Sequence, residues 1–140
     1  MNLYDKMLNI SGKDIEEEIK KSIIETKQQL IGLDQDRMCL IYSSYLYQNL
    51  KKRHILAHII DTKDLGFDFN HRFILVYDKD YYLLDLTYSQ FLDDNPIFIK
   101  LLNDGYQKIN NKDFLMYLKI VVRENFVGTI EDTFMNFKNF

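Results

Sequence analysis

Tryptophan is absent from this chain of 140 residues, and cysteine, proline and alanine occur once each, as Cys39, Pro96 and Ala57. A single thiol excludes an internal disulfide and any zinc site built on cysteine pairs. One proline and five scattered glycines exclude a collagen-like or low-complexity chain, and they leave no glycine-rich loop to cradle a phosphate. No apolar run approaches the ~20 residues of a membrane-spanning helix. The opening Met1-Asn2-Leu3-Tyr4-Asp5-Lys6 lacks the basic-then-apolar order of a signal peptide. Lys and Arg (18) are outnumbered by Asp and Glu (21), for a formal net charge of −3. Non-specific nucleic-acid binding needs clustered cations, so it is not expected. Neither a nucleic acid nor a membrane is expected as partner. A cytoplasmic location is expected, with delivery as an effector by a non-classical route as the alternative.

The chain does have core-forming material: 46% hydrophobic and 14% aromatic residues. That suffices for one domain over residues 1–140. The abundance of Lys, Asn and Ile beside one alanine looks like the bias of an AT-rich bacterial coding sequence, and it bears on codons rather than on function.

The pattern predicts an α+β fold, with N-terminal helices packed on a small antiparallel sheet and a helical C-terminal segment. A first helix is expected over 14–31. Ile15, Ile19, Ile23, Leu30 and Ile31 recur at steps of three or four, and Asp14-x-x-Glu17 has capping-box spacing. Glu16, Glu17 and Glu18 suit its first turns, and Gly32 suits its end. A second helix is expected over 39–52, with Met38, Tyr42, Tyr45, Leu46 and Leu50 as its stripe and Asp34 or Asp36 as its cap. Strands are expected at 55–61, 71–77 and 81–86. The last two carry apolar residues on both faces, as in a sheet covered on both sides. Asp78-Lys79-Asp80 between them reads as a hairpin turn. Helices are expected within 97–124, one entered through Pro96 and one capped by Asp113. Phe126, Phe134, Phe137 and Phe140 in the tail are expected to pack on the sheet.

Three residues stand out chemically. Cys39 falls at the start of a helix, where unpaired backbone N–H groups and the dipole favour a thiolate. A lone cysteine is commonly only a small core hydrophobe. His71 opens a strand after a loop and can serve as a general base, although a rim histidine would look the same. Asp85 interrupts the apolar run Tyr82-Leu83-Leu84-Asp85-Leu86, where a carboxylate is costly unless bonded. With a three-residue loop at 78–80, Tyr77 pairs with Tyr81 and Phe73 faces Asp85. His71 then lies diagonally from Asp85 on the same face, and a one-residue slip would separate them. Together the three fit an activated thiol nucleophile. The Cys39 backbone N–H is one oxyanion donor by position. Gln35 is the candidate for the second, with Gln90 behind it.

Other clusters are weaker. His54 and His58 have metal-like i,i+4 spacing but straddle a strand entry, so no metal is expected. Asp61, Asp64, Asp68, Asp93 and Asp94 read as solvated loop residues.

The order of a cysteine at a helix start, a strand opening on His and a strand ending on Asp resembles the transglutaminase-like and papain-like superfamily. The matching spans are Asp36-Arg37-Met38-Cys39-Leu40, His71-Arg72-Phe73-Ile74-Leu75-Val76 and Tyr82-Leu83-Leu84-Asp85-Leu86-Thr87, within residues 35–91. The resemblance implies a papain-like or transglutaminase-like core and acyl transfer through a cysteine thioester. Cys39 would be the nucleophile, His71 the base and Asp85 the orienting acid. It also implies a protein or peptide substrate and no cofactor. Protease, glutamine deamidase and transglutaminase differ in what attacks the thioester. A non-catalytic binding module that retains the fold is the alternative from another class.

Overall fold

A computed structural model describes residues 3–33, 38–91, 98–124 and 126–136, with side chains described from residue 14 to residue 134 of these. The elements are α1 (Leu3–Gln29), α2 (Cys39–Lys52), β1 (Ala57–Asp61), β2 (Arg72–Asp78), β3 (Asp80–Leu84), α3 (Ile99–Asp104), β4 (Tyr106–Ile109), α4 (Asn111–Val122) and α5 (Ile130–Asn136). The molecule is α+β, built on a four-stranded antiparallel sheet in the order β1-β2-β3-β4.

Each face of the sheet is covered. Ile74, Val76, Tyr82 and Leu84 point towards α1 and α2, where they meet Ile19, Ile23, Leu46 and Leu50. Phe73, Leu75 and Leu83 point the other way, onto Phe114, Tyr117, Leu118 and Val121 of α4 and Phe134 of α5. This two-sided burial is why β2 and β3 carry no polar face. The β2–β3 register pairs Tyr77 with Tyr81, as the loop-length argument required. Lys79 alone turns the hairpin, with φ +66°.

Several expectations are corrected. The helix expected to begin at Asp14 extends back to Leu3. Asp14 is a kink within it (φ −163°, ψ 61°), and its carboxylate accepts the Glu17 N–H at 3.1 Å, capping the second segment. That helix ends at Gln29, and Ile31 is 85% exposed instead of buried, because the chain has already left the helix and turns at Gly32 (φ +90°). Tyr45, assigned to the buried stripe of α2, is exposed. The N-cap position of α2 is Met38, without a side-chain bond. Asp34 and Asp36 lie outside the described residues. β1 begins at Ala57, β2 at Arg72, and β3 stops at Leu84, so His71 and Asp85 flank strands rather than belong to them. β4 was not anticipated. Asn110, not Asp113, caps α4: its side chain accepts the Asp113 N–H at 2.9 Å, and Asp113 completes the box at 3.4 Å. Phe126 packs on Phe67 and Phe114, and Phe134 on Tyr77, Tyr81 and His58. Pro96, Phe137 and Phe140 lie outside the described residues. Among the described residues, no helix is long and apolar enough to cross a membrane.

Candidate active site

Four parts of the fold meet at one end of the sheet: the first residue of α2, the residue before β2, the residue after β3 and the middle of α4. Cys39 is the first of these and is partly exposed. α2 is fixed against α1 by Asn49, which donates to Thr26 Oγ1 at 2.8 Å and Gln29 Oε1 at 2.9 Å, and by Arg53 on Glu25 at 2.7 Å. Its first turn is tied by Tyr42, whose hydroxyl donates to the Leu33 carbonyl at 3.1 Å.

His71 is placed by Thr62. The buried Thr62 hydroxyl accepts the His71 N–H at 2.8 Å and donates to the Phe69 carbonyl at 2.5 Å, while the Thr62 N–H donates to the His71 carbonyl at 2.9 Å. The backbone is thus held from both sides before β2 begins. The ring is 1% exposed and is met edge-on by Phe91, with centroids 4.6 Å apart.

Asp85 leaves β3 with its N–H donating to the Gly105 carbonyl at 3.0 Å. Its Oδ1 accepts the Thr87 N–H at 3.0 Å and the Thr87 hydroxyl at 3.1 Å. Its Oδ2 lies 2.8 Å from His71 Nε2 and accepts the Tyr117 hydroxyl at 2.6 Å. Each carboxylate oxygen therefore has two donors, which is how a charge can persist in a buried apolar setting. With Nε2 committed to Asp85, Nδ1 is the ring nitrogen left for the sulfur.

The two groups shift in opposite directions, the thiol down and the imidazole up. Burial on its own pushes the Cys39 thiol up. Hydrogen bonds from the His71 imidazole and the Arg72 backbone N–H, with the imidazole's charge, outweigh it and bring the thiol below its ordinary 9.0, against a weaker push from Asp85. Burial would likewise lower His71. The Asp85 carboxylate, through charge and hydrogen bond, overcomes this, and with help from Cys39 raises the imidazole from 6.5 to about 9. A thiolate beside an imidazolium is the reactive form of such a pair. Between Cys39, Tyr42, Phe73 and Asp85 lies a cavity of about 10 Å³, room for one water.

Cys39, His71 and Asp85 are thus brought together from positions far apart in the chain. Gln35 lies outside the described residues. Gln90 turns its amide onto the Thr87 hydroxyl at 3.1 Å, buttressing Asp85. His54 ends the turn after α2 with φ +61°, whereas His58 is buried in β1 against Phe134, so the two do not form a pair. Among the described residues, no three His, Cys, Asp or Glu side chains converge as a metal site requires. Thr62, Phe91 and Tyr117 were not anticipated, and Thr87 entered only as the end of the matching span Tyr82–Thr87. The Asp85-x-Thr87 spacing, which suits an Asx turn, was the one local signal available for any of them. No family model, curated protein or solved structure matches this chain.

Proposed function

We propose that this protein is a cysteine-dependent acyl-transfer enzyme of papain-like or transglutaminase-like type, acting on an amide of a protein or peptide. The observation that carries the reading is the buried His71–Asp85 bond of 2.8 Å, with the Cys39 thiol at a helix start acting on the charge of the same ring. A structural histidine gains little from a buried carboxylate partner, because desolvating both groups offsets most of their attraction. Setting an imidazolium beside a thiol gives that arrangement a chemical purpose.

The thiolate of Cys39 attacks the amide carbonyl carbon, and the developing oxyanion is met by the Cys39 backbone N–H at the start of α2. Gln35 remains the expected second donor. The C–N bond breaks as His71 gives its proton to the leaving nitrogen. Asp85 holds the ring in plane throughout. Water then attacks the thioester, His71 takes a proton from it, and the carboxylic acid leaves as the thiolate is restored. On a peptide bond the outcome is cleavage, and on a glutamine side chain it is deamidation. An amine in place of water gives a cross-link. No cofactor enters this sequence.

Alkylation of Cys39 by iodoacetamide as a function of pH tests the reading. The wild type should react fast well below the ordinary thiol range near pH ~8.5. His71→Ala should lose that reactivity, because burial is then opposed by the Arg72 N–H alone. Cys39→Ala should abolish turnover of any amide substrate and leave the circular dichroism spectrum unchanged. Slow labelling with an ordinary midpoint in the wild type would return the protein to the class of non-catalytic binding modules.

A further inference from the structure

Tyr117 is fully buried in the middle of α4, and its ring packs on Phe73 with centroids 5.1 Å apart, on Tyr88 at 6.0 Å and on Phe98 at 6.4 Å. A phenylalanine would make all of these contacts. The hydroxyl is the informative atom. It donates its single proton to Asp85 Oδ2 at 2.6 Å and sits 3.2 Å from His71 Nε2, so both it and the imidazole compete for one carboxylate oxygen.

We propose that Tyr117 is a positioning residue of this site, whose hydroxyl divides Asp85 Oδ2 between two donors and thereby limits how tightly the carboxylate holds the His71 imidazolium. The proposal rests on the acyl-transfer reading for its purpose, but its physics does not depend on turnover. Among the described residues, the titratable groups facing His71 are Cys39 from α2, Asp85 from the end of β3 and Tyr117 from α4. Phe91 and Phe73 meet the ring without charge. Tyr117 itself faces Asp85, Tyr88 and Cys39, and burial beside that carboxylate keeps its phenol protonated far above the ordinary range. It is therefore a donor at every working pH.

The division has a catalytic consequence. His71 must give its proton to a leaving nitrogen and then take one from water. A carboxylate undivided by Tyr117 would bind the imidazolium more strongly and make the first transfer harder. The hydrogen bond also ties the helix face of α4 to the two strand ends, fixing the plane of the Asp85 carboxylate against the ring.

The test is an NMR titration of the His71 ring, assigned among the three histidines by His71→Gln. In Tyr117→Phe the midpoint should rise by about half a unit to one unit, the scale of one charge-assisted hydrogen bond shared between two states. Site-specific 3-fluorotyrosine at position 117, a near-isosteric but stronger donor, should move it down. Opposite shifts in the two proteins support the assignment. Unchanged midpoints, or shifts of the same sign, overturn it. If Tyr117→Phe does not fold, the fluorotyrosine protein decides alone: a downward shift supports the assignment, and none overturns it. Failure of the acyl-transfer reading would be seen separately, as an ordinary pH profile for Cys39 alkylation.

Discussion

Asp85 accepts bonds from the His71 ring, the Tyr117 hydroxyl, the Thr87 hydroxyl and the Thr87 backbone. At the scale of single residues it is the pivot, because it decides the charge of its neighbours. Asp85→Asn keeps the shape and removes the charge. Burial would then act on His71 with only Cys39 opposing it, so the imidazole should titrate well below about 9. The thiol loses its cationic partner in turn. Alkylation at neutral pH should fall at least tenfold, and stability should drop by about 1–3 kcal/mol, the usual result of leaving buried donors mispaired. Urea unfolding and alkylation rates measure the two effects. Neutral-pH alkylation as fast as wild type would mean that Asp85 does not set the charge of the pair. This residue was legible in the sequence because a carboxylate in an apolar run is conspicuous. Tyr117 was not. At helical spacing from Phe114, Leu118 and Val121 it reads as one more core position, and only the fold discloses where its oxygen goes.

At the scale of elements, legibility followed the strength of the periodic signal. α2 and the β2–β3 hairpin are long runs with a consistent pattern, and the sequence placed each to within two residues. β4 escaped because it is a four-residue edge strand, Tyr106-Gln107-Lys108-Ile109, set between two helices and too short to show alternation. The extension of α1 escaped because the cap at Asp14 is genuine but lies within a kinked helix, and a local cap signal does not report what precedes it. β4 bears on the site through Gly105, which ends α3 with φ +84° and whose carbonyl accepts the Asp85 N–H at 3.0 Å. A Cβ there would stand 2.5 Å from Leu86 Cδ2 and 3.4 Å from Ile23 Cδ1, inside a close-packed layer. Gly105→Ala should therefore cost about 2 kcal/mol or more, from the left-handed backbone and the overpacking together. It should also slow Cys39 alkylation, because the Gly105 carbonyl that holds the Asp85 N–H belongs to the strained residue. An unchanged urea midpoint would show that the α3–β4 corner tolerates a side chain and that Asp85 is anchored elsewhere.

At the scale of the whole molecule, the site couples folding to pH. Folding raises His71 from 6.5 to about 9, so taken alone its contribution to stability is complete below about pH 6.5 and is lost as pH rises through 9. Folding lowers Cys39 from 9.0, so its contribution is complete above that ordinary value and is lost as pH falls through the folded one. In the neutral window the two run in opposite directions. In the proposed ion pair the folded site holds one proton, on the ring, and the unfolded pair also holds one, on the thiol. With equal proton counts the wild-type stability contributed by this pair should be nearly flat from about pH 7 to 8.5. Cys39→Ala removes one side of the balance. Its folded state keeps the imidazolium against Asp85, whereas its unfolded state has released that proton. Stability of Cys39→Ala should then decline with rising pH across the same window, at a slope approaching but not exceeding about 1.4 kcal/mol per pH unit. Urea melts of both proteins at several pH values measure the difference between them, in which the surface carboxylates and lysines common to both cancel. Parallel profiles for the two proteins would mean that the ring and the sulfur do not exchange a proton on folding, and the ion pair would have to be abandoned.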